Sequence, residues 1–327
     1  MQTITAVQKQ KSIGSVQFLP VNLFASVMGI SGLALAWRQA SKLFGASLLI
    51  ADMIGIIAVL AFIVLSIAYI SKWVLYPHKV KAEFTHPIMG NFFGTITIAI
   101  LLLSSVVGTY SHIVGQVVWV IGTVTTLVLC FIIVTRLLNG NIEHGHAVPA
   151  WLIPGVGTLD IAVAGGTMPF PWAHEVNLIS LAIGGIVALI FLTMILSRLI
   201  HHAPMHTGLT PSMLIMIAPF EVGFLGYVNF EQRIDQFASI LYYFGLFLFI
   251  VLFFKVFKKS IPFGASWWGV SFPLAALSNA ALQYAMFVNS WLLIAVSAVI
   301  LVVLNIVLLV LFIRTLKALF NGNLLKG

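Results

Sequence analysis

Long apolar runs with few charges follow one another with only short polar breaks between them, from Phe18 to Leu316. Each run is about 20 residues or longer, the length a helix needs to cross the hydrocarbon core of a bilayer. The runs are continuously apolar and do not alternate with period two, so they predict helices and not the strands of a membrane barrel. Their limits give ten spans: Phe18–Ala40, Ala46–Lys72, His86–Thr109, His112–Leu137, Val148–Thr167, His174–Ile200, Gly208–Phe230, Ile234–Lys258, Ser266–Phe287 and Ser290–Leu316. Composition agrees: 61% of the 327 residues are hydrophobic and 7% charged. A soluble domain is about 45–50% apolar and about 25% charged, and no water-soluble core of this size could bury the excess. The single cysteine, Cys130, excludes a disulfide scaffold, and 25 phenylalanines exclude a disordered chain. The expected fold is therefore an all-α polytopic membrane protein. One ten-helix transmembrane domain covers residues 18–318, with cytoplasmic tails at 1–17 and 319–327. The polar first fifteen residues and the long first run predict no cleaved signal peptide.

The net charge is +8, yet nucleic acid is not the expected partner, because the basic residues are scattered through short loops and form no basic face. They set topology instead. Lys9, Lys11, Lys72, Lys79, Lys81, Arg136, Arg198, Lys255, Lys258, Lys259, Arg314, Lys317 and Lys326 fall on one side, and only Arg38, Lys42 and Arg233 on the other. The positive-inside rule then places both termini in the cytoplasm and requires an even number of spans.

Odd and even spans differ. Pro20, Gly29 and Gly32 lie in the first, Pro87, Gly90 and Gly94 in the third, Pro149, Pro154 and Gly155 in the fifth. Pro211, Pro219 and Gly223 lie in the seventh, and Gly269 and Pro273 in the ninth, whereas the even spans hold no proline. Prolines recur every 62 residues at 87, 149, 211 and 273. We expect a repeat of helical hairpins, each returning the chain to the same side, so that five like-oriented hairpins surround one axis. Kinked small-residue helices would form an inner ring, smooth apolar helices an outer ring, and the axis would be a pore in each subunit.

Enzyme signatures are missing: there is no phosphate loop, no H-E-x-x-H and no pair of zinc cysteines, so no catalytic residue, metal or cofactor is expected. Glu143, His144 and His146 crowd one loop and His201, His202 and His206 another; both read as solvated polar loops, with metal or partner binding the minority alternative. Asp160 and Glu221 lie inside spans with no mid-span Lys or Arg to pair them. An intramembrane acid is a functional candidate by default, here for proton coupling or pore lining; an interhelical hydrogen bond is the structural alternative. Asp52 is expected at the interface. Phe272 directly precedes Pro273 on an inner-ring helix. Any one phenylalanine is most often packing, but a ring beside a kink can block a narrow path by steric closure and dewetting.

Several segments then match a known family. Leu19-Pro20-Val21-Asn22-Leu23-Phe24, followed by Gly29, Gly32 and Ala36-Trp37, resembles the opening helix of the bacterial TehA proteins and plant slow anion channels, in the tellurite-resistance/dicarboxylate transporter group. Tyr76-Pro77-His78, Glu83 and His86-Pro87 resemble the family's approach to helix three, and Asn91-Phe92-Phe93 the plant branch there. Trp267-Trp268 with Ser271-Phe272-Pro273 resembles the helix-nine segment carrying the family's gating phenylalanine. Ile313-Arg314-Thr315 and Asn321-Gly322 through Leu324-Leu325 resemble the TehA ending. The resemblance runs from about Phe18 to about Leu325 and is specific through the order of its motifs. It implies ten helices about a pseudo-five-fold axis, a pore in each subunit of a homotrimer, and passage of small inorganic anions such as chloride and nitrate. It gives the gate role to Phe272. Pro20, Met28, Gly29, Phe92, Pro154, Pro219 and Pro273 are the remaining pore-lining or kink candidates. The expected location is the bacterial inner membrane, in contact with lipid. The chain departs from the resemblance at Asn22 and Ala25, where TehA-like chains have glycines, and in the acids Asp160 and Glu221. These keep open a proton-coupled carrier of four-carbon dicarboxylates or a related anion, although no paired arginines stand ready to clamp two carboxylates.

Overall fold

In lipid every backbone N–H and C=O must find its partner inside the protein, which leaves helix as the element for apolar runs of this kind. The computed structural model describes residues 15–140, 142–322 and 325. Lys9, Lys11 and Lys326, with most of the amino-terminal tail, lie outside these. Among the described residues the chain is helical, without strands. The helices are α1 (Ala25–Phe44), α2 (Leu48–Leu75), α3 (Pro77–Thr85), α4 (Gly94–Gly108), α5 (His112–Leu138) and α6 (Ile153–Gly165). They continue as α7 (Ala173–His201), α8 (Ala218–Glu231), α9 (Gln236–Val256), α10 (Ser271–Val288) and α11 (Trp291–Phe320).

Five antiparallel hairpins follow: α1–α2, α4–α5, α6–α7, α8–α9 and α10–α11. Their turns are written in local chemistry. Gly45 ends α1 at φ 68°, and Gln232 and Asn289 take φ of 55° and 52° after α8 and α10. Ser47, Ser111 and Asp235 each accept a backbone N–H in the first turn of the outer helix that follows, as N-caps do.

The inner helices close a ring. α1 packs on α4, α4 on α6, α6 on α8, α8 on α10, and α10 returns to α1. Burial separates the two layers: in the most apolar 18 residues of each span, 72–83% are buried in the spans through α1, α4 and α8, against 17–33% in α2, α5, α7, α9 and α11. Among the described residues, eight helical stretches are long and apolar enough to cross a membrane, five of them outer. Pro149–Gly165, a shorter apolar stretch, and Ala265–Val288 complete the inner ring.

What repeats is a change of helix type. Each inner helix begins as 3-10 helix and turns α partway: Val21–Phe24, Met89–Phe93, Pro149–Leu152, Thr207–Ile217 and Ala265–Val270 run directly into α1, α4, α6, α8 and α10. These 3-10 segments also touch around the ring. Because 3-10 helix rises about 2.0 Å per residue against about 1.5 Å for α, even Pro149–Gly165 reaches about 27 Å, close to the bilayer core.

The 62-residue proline interval does not mark this repeat. Pro87 precedes its 3-10 segment, Pro149 opens one, Pro211 lies inside one, and Pro273 is the third residue of α10. The prolines that correspond are Pro154, Pro219 and Pro273, each in the first turn of an inner α-helix. A first turn tolerates proline because its N–H groups lack α-helical partners.

Close approach needs small residues at the α1–α10 contact. A Cβ on Gly29 would overlap Ser271, and one on Gly32 would overlap Ala275. Ser271 Oγ donates to the Ala25 carbonyl at 2.9 Å across the same contact.

The short helix α3 folds back beneath the first hairpin, and its Glu83 is fully engaged. Lys72 Nζ donates to Glu83 Oε2 at 2.6 Å and to the Leu19 carbonyl at 2.7 Å. The Tyr69 hydroxyl donates to Oε2 and the Val21 N–H to Oε1, both at 2.8 Å. One carboxylate thus ties the start of the first inner span to α2 and α3. Removing one member of such a buried pair strands the other charge. Lys72→Met is expected to lower stability by about 3–5 kcal/mol, and the double change Lys72→Met/Glu83→Gln by less, read as thermal unfolding of the detergent-solubilised protein.

Candidate functional site

The inner ring encloses two cavities of very different size. The larger, about 600 Å³, is lined by the carboxyl-terminal parts of all five inner helices. Gly32 and Gln39 come from α1, Ser105 from α4, Asp160 from α6, Asn229 from α8, and Asn279 and Gln283 from α10. Lys42 and His112, both exposed, stand on its rim. The smaller, about 20 Å³, lies at the level where 3-10 turns to α, and again all five inner elements contribute. Its wall includes Met28, Phe92, Ile98, Val156, Ile215 and Pro273. Phe272, 6% exposed, lines both cavities and is the one residue common to the two walls.

Size decides what the small cavity can hold. A water needs about 10–15 Å³ of such volume and two to four polar partners. A cavity of about 20 Å³ has room for roughly one. The hydroxyl in its wall, on Thr95, already donates to the Phe92 carbonyl at 2.6 Å. The constriction is therefore apolar, dry and too small for a hydrated ion.

Several polar groups in the large cavity are committed to its wall. Asn279 Nδ2 donates to the carbonyls of Gly32 and Ala275 at 2.9 and 2.8 Å, and its Oδ1 accepts from Gln39 Nε2 at 3.1 Å. Arg38 is paired with Asp52 at 2.7 Å, and the Tyr110 hydroxyl donates to the same carboxylate at 2.6 Å. Asp160 differs: it is 2% exposed, forms no ion pair among the described residues, and its Oδ2 has no partner there.

The candidates from sequence divide as follows. Phe272 joins the cavities, Met28, Phe92 and Pro273 line the small one, and Asp160 lines the large one. Pro20, Gly29, Pro154 and Pro219 line neither: Pro20 precedes the 3-10 segment Val21–Phe24, Gly29 meets α10, and the other two prolines are buried in first turns. Glu221 also lines neither. It is fully buried with both carboxyl oxygens unpartnered among the described residues, and it faces α9, where Gly245 leaves room that a Cβ would fill. Sequence reasoning missed Ile98, Val156 and Ile215, because one aliphatic residue in an apolar run carries no mark of facing an axis. Among the histidine loops, the His144 and His202 rings stack at 5.7 Å, bringing the two clusters together.

A closed ring of helical hairpins around axial cavities, clad in apolar helices, defines a polytopic helical membrane protein. Residues 19–316 match the SLAC1 family, described as voltage-dependent anion channel, and the chain belongs to that family. Its members are anion channels and transporters. An uncharacterised transporter of Methanocaldococcus jannaschii is 27% identical over 289 residues, covering 81% of this chain and 84% of the relative. The tellurite resistance protein TehA homolog of Haemophilus influenzae is 26% identical over 271 residues, 81% of each chain. The S-type anion channel SLAH2 of Arabidopsis thaliana is 24% identical over 275 residues, 81% of this chain and 52% of that one.

The two cavities predict a difference in accessibility. In Gln283→Cys the new thiol is expected to react with a membrane-impermeant thiosulfonate. In Met28→Cys it is expected to stay unreacted until Phe272→Ala is added. The native Cys130 is buried and gives little background, and a mass-tag gel shift reads the result.

Proposed function

We propose that the protein is a gated anion channel. It passes small monovalent anions, chloride and nitrate among them, along the axis of each subunit, and the Phe272 ring closes the path. The observation that carries this reading is that Phe272 alone lines both the open cavity and the dry constriction. An apolar plug of this kind acts by steric block and dewetting, and moving one ring joins the two spaces. The electrostatics favour anions without trapping them. Lys42 and His112 stand on the rim and no Lys or Arg lines the constriction. The five inner helices run the same way, so their positive dipole ends face one end of the path. Weak, distributed attraction suits fast conduction. The names of the Arabidopsis relatives, S-type anion channels, favour the same substrate class.

In this reading the five inner and five outer helices cross the bacterial inner membrane and both termini are cytoplasmic. The large cavity then faces outward, on the side of Arg38, Lys42 and Arg233. Three such subunits form a homotrimer whose partners are lipid and the permeant ions. A second reading, a proton-coupled carrier of four-carbon dicarboxylates, is favoured by one observation, the acid Asp160 on the cavity wall.

Purified protein in planar bilayers separates the two. Phe272→Ala is expected to raise chloride and nitrate conductance severalfold over wild type with no proton gradient. Silence from both proteins, together with malate or succinate uptake into liposomes that follows an imposed pH difference, would overturn the channel and leave Phe272 as packing.

A further inference from the structure

An anion path has no obvious use for an acid on its wall, yet Asp160 is placed there by the fold. It lies seven residues into α6 and Phe272 one residue into α10, counting from Ile153 and Ser271. Ile153 and Phe272 both line the small cavity, and the helical rise places Asp160 about 10 Å along α6 from Ile153, where the path has already widened. A passing anion therefore meets Asp160 on the open side of the constriction.

No fixed charge stands ready to cancel an ionised Asp160. The neighbours of α6 are α4, α5, α7, α8, its own 3-10 segment and the segment Met89–Phe93, the last without an ionisable side chain. α4 and Pro149–Leu152 hold no ionisable side chain. α5 offers His112, out on the rim, while Arg136 lies in its last turn at the other end. From α7, His174 stacks on Phe230, Glu175 sits in the first turn outside the cavity, and Arg198 and His201 lie at the far end. From α8, Glu221 faces α9 and the Tyr227 hydroxyl donates to Asp235. Across the cavity α1 brings Arg38, paired with Asp52, and the rim residue Lys42; α10 brings only Asn279 and Gln283 among polar groups.

We propose that Asp160 makes anion passage depend on protons. With its proton, the carboxyl is a neutral hydrogen-bond donor on the wall, a contact that suits an anion and does not hold it. Without the proton, it is an uncompensated negative charge facing the permeant ion, and like charges in a poorly screened space exclude one another. Asp160 is 2% exposed but lines the cavity that opens at Lys42, so the proton reaches it from the medium on the Lys42 side. The proposal rests on the reading of the axis as an anion path and adds to it a sensitivity to acid.

The test uses the full-length protein with Phe272→Ala, so that the ring no longer limits current. Chloride current in planar bilayers is measured at symmetric pH from 8 down to 5. The expected result is a severalfold rise on acidification. Asp160→Asn should hold the current at the high level at every pH, Asp160→Glu should retain the rise, and the rise should survive in His112→Gln. Size-exclusion profiles identify any variant that has not folded, and Asp160→Ser then stands in for Asp160→Asn. Current that ignores pH, a rise that persists in both Asp160→Asn and Asp160→Ser, or loss of the rise in His112→Gln would each overturn the proposal while leaving the anion path standing. Folded Phe272→Ala protein that carries no chloride current at any pH would overturn the anion path itself, and this proposal with it.

Discussion

A polypeptide in hydrocarbon has no water to satisfy its backbone, and the arrangement of this fold follows from that requirement. Regular α-helix meets it without help, so α2, α5, α7, α9 and α11 can stand against lipid. Stretches of 3-10 helix have poorer hydrogen-bond geometry and seldom run beyond three or four residues. Thr207–Ile217 runs for eleven. Such a segment is sustained because it is enclosed: it packs against the neighbouring 3-10 segments Pro149–Leu152 and Ala265–Val270, and against α9 behind. The outer ring is what permits the inner ring its irregularity, and the irregular level is where the constriction lies.

Much of this was legible in the amino-acid sequence. Ten apolar runs, the contrast of odd with even spans, and the ordered motifs around Pro20, Phe92 and Phe272 pointed to hairpins about an axis. Other features were not legible, for physical reasons. The prolines at 87, 149, 211 and 273 share a spacing but not a place, because proline is tolerated before, within or just after a 3-10 start, and insertions in the loops shift the count. The helix α3 was not marked because Lys79, Lys81 and Glu83 break its apolar pattern; Pro77 in its first turn was its one sign. Asp160 and Glu221 looked alike as intramembrane acids. Only the packing shows that one lines the axial cavity and the other turns away toward Gly245.

The two buried acids and the Lys72–Glu83 pair illustrate three ways of keeping ionisable groups in one fold. Glu83 is held by three hydrogen bonds, from Lys72, Tyr69 and Val21, and serves as structure, with Lys72 also reaching Leu19. Glu221 is sealed between α8 and α9. Asp160 is buried but borders an open cavity, the setting in which protonation answers to the medium. The first hairpin is anchored by its ion pair at one end of the molecule, and no ionisable side chain lines the small axial cavity.

The 3-10 start of the ninth span has a mechanical consequence. Ala265–Val270 is six residues long and leads straight into the helix that carries Phe272. A 3-10 helix turns 120° and rises about 2.0 Å per residue, an α-helix 100° and about 1.5 Å. Rewinding those six residues as α would draw α10 along its axis by about 3 Å and swing it through about 120°. The segment is in effect a screw thread set beneath the ring.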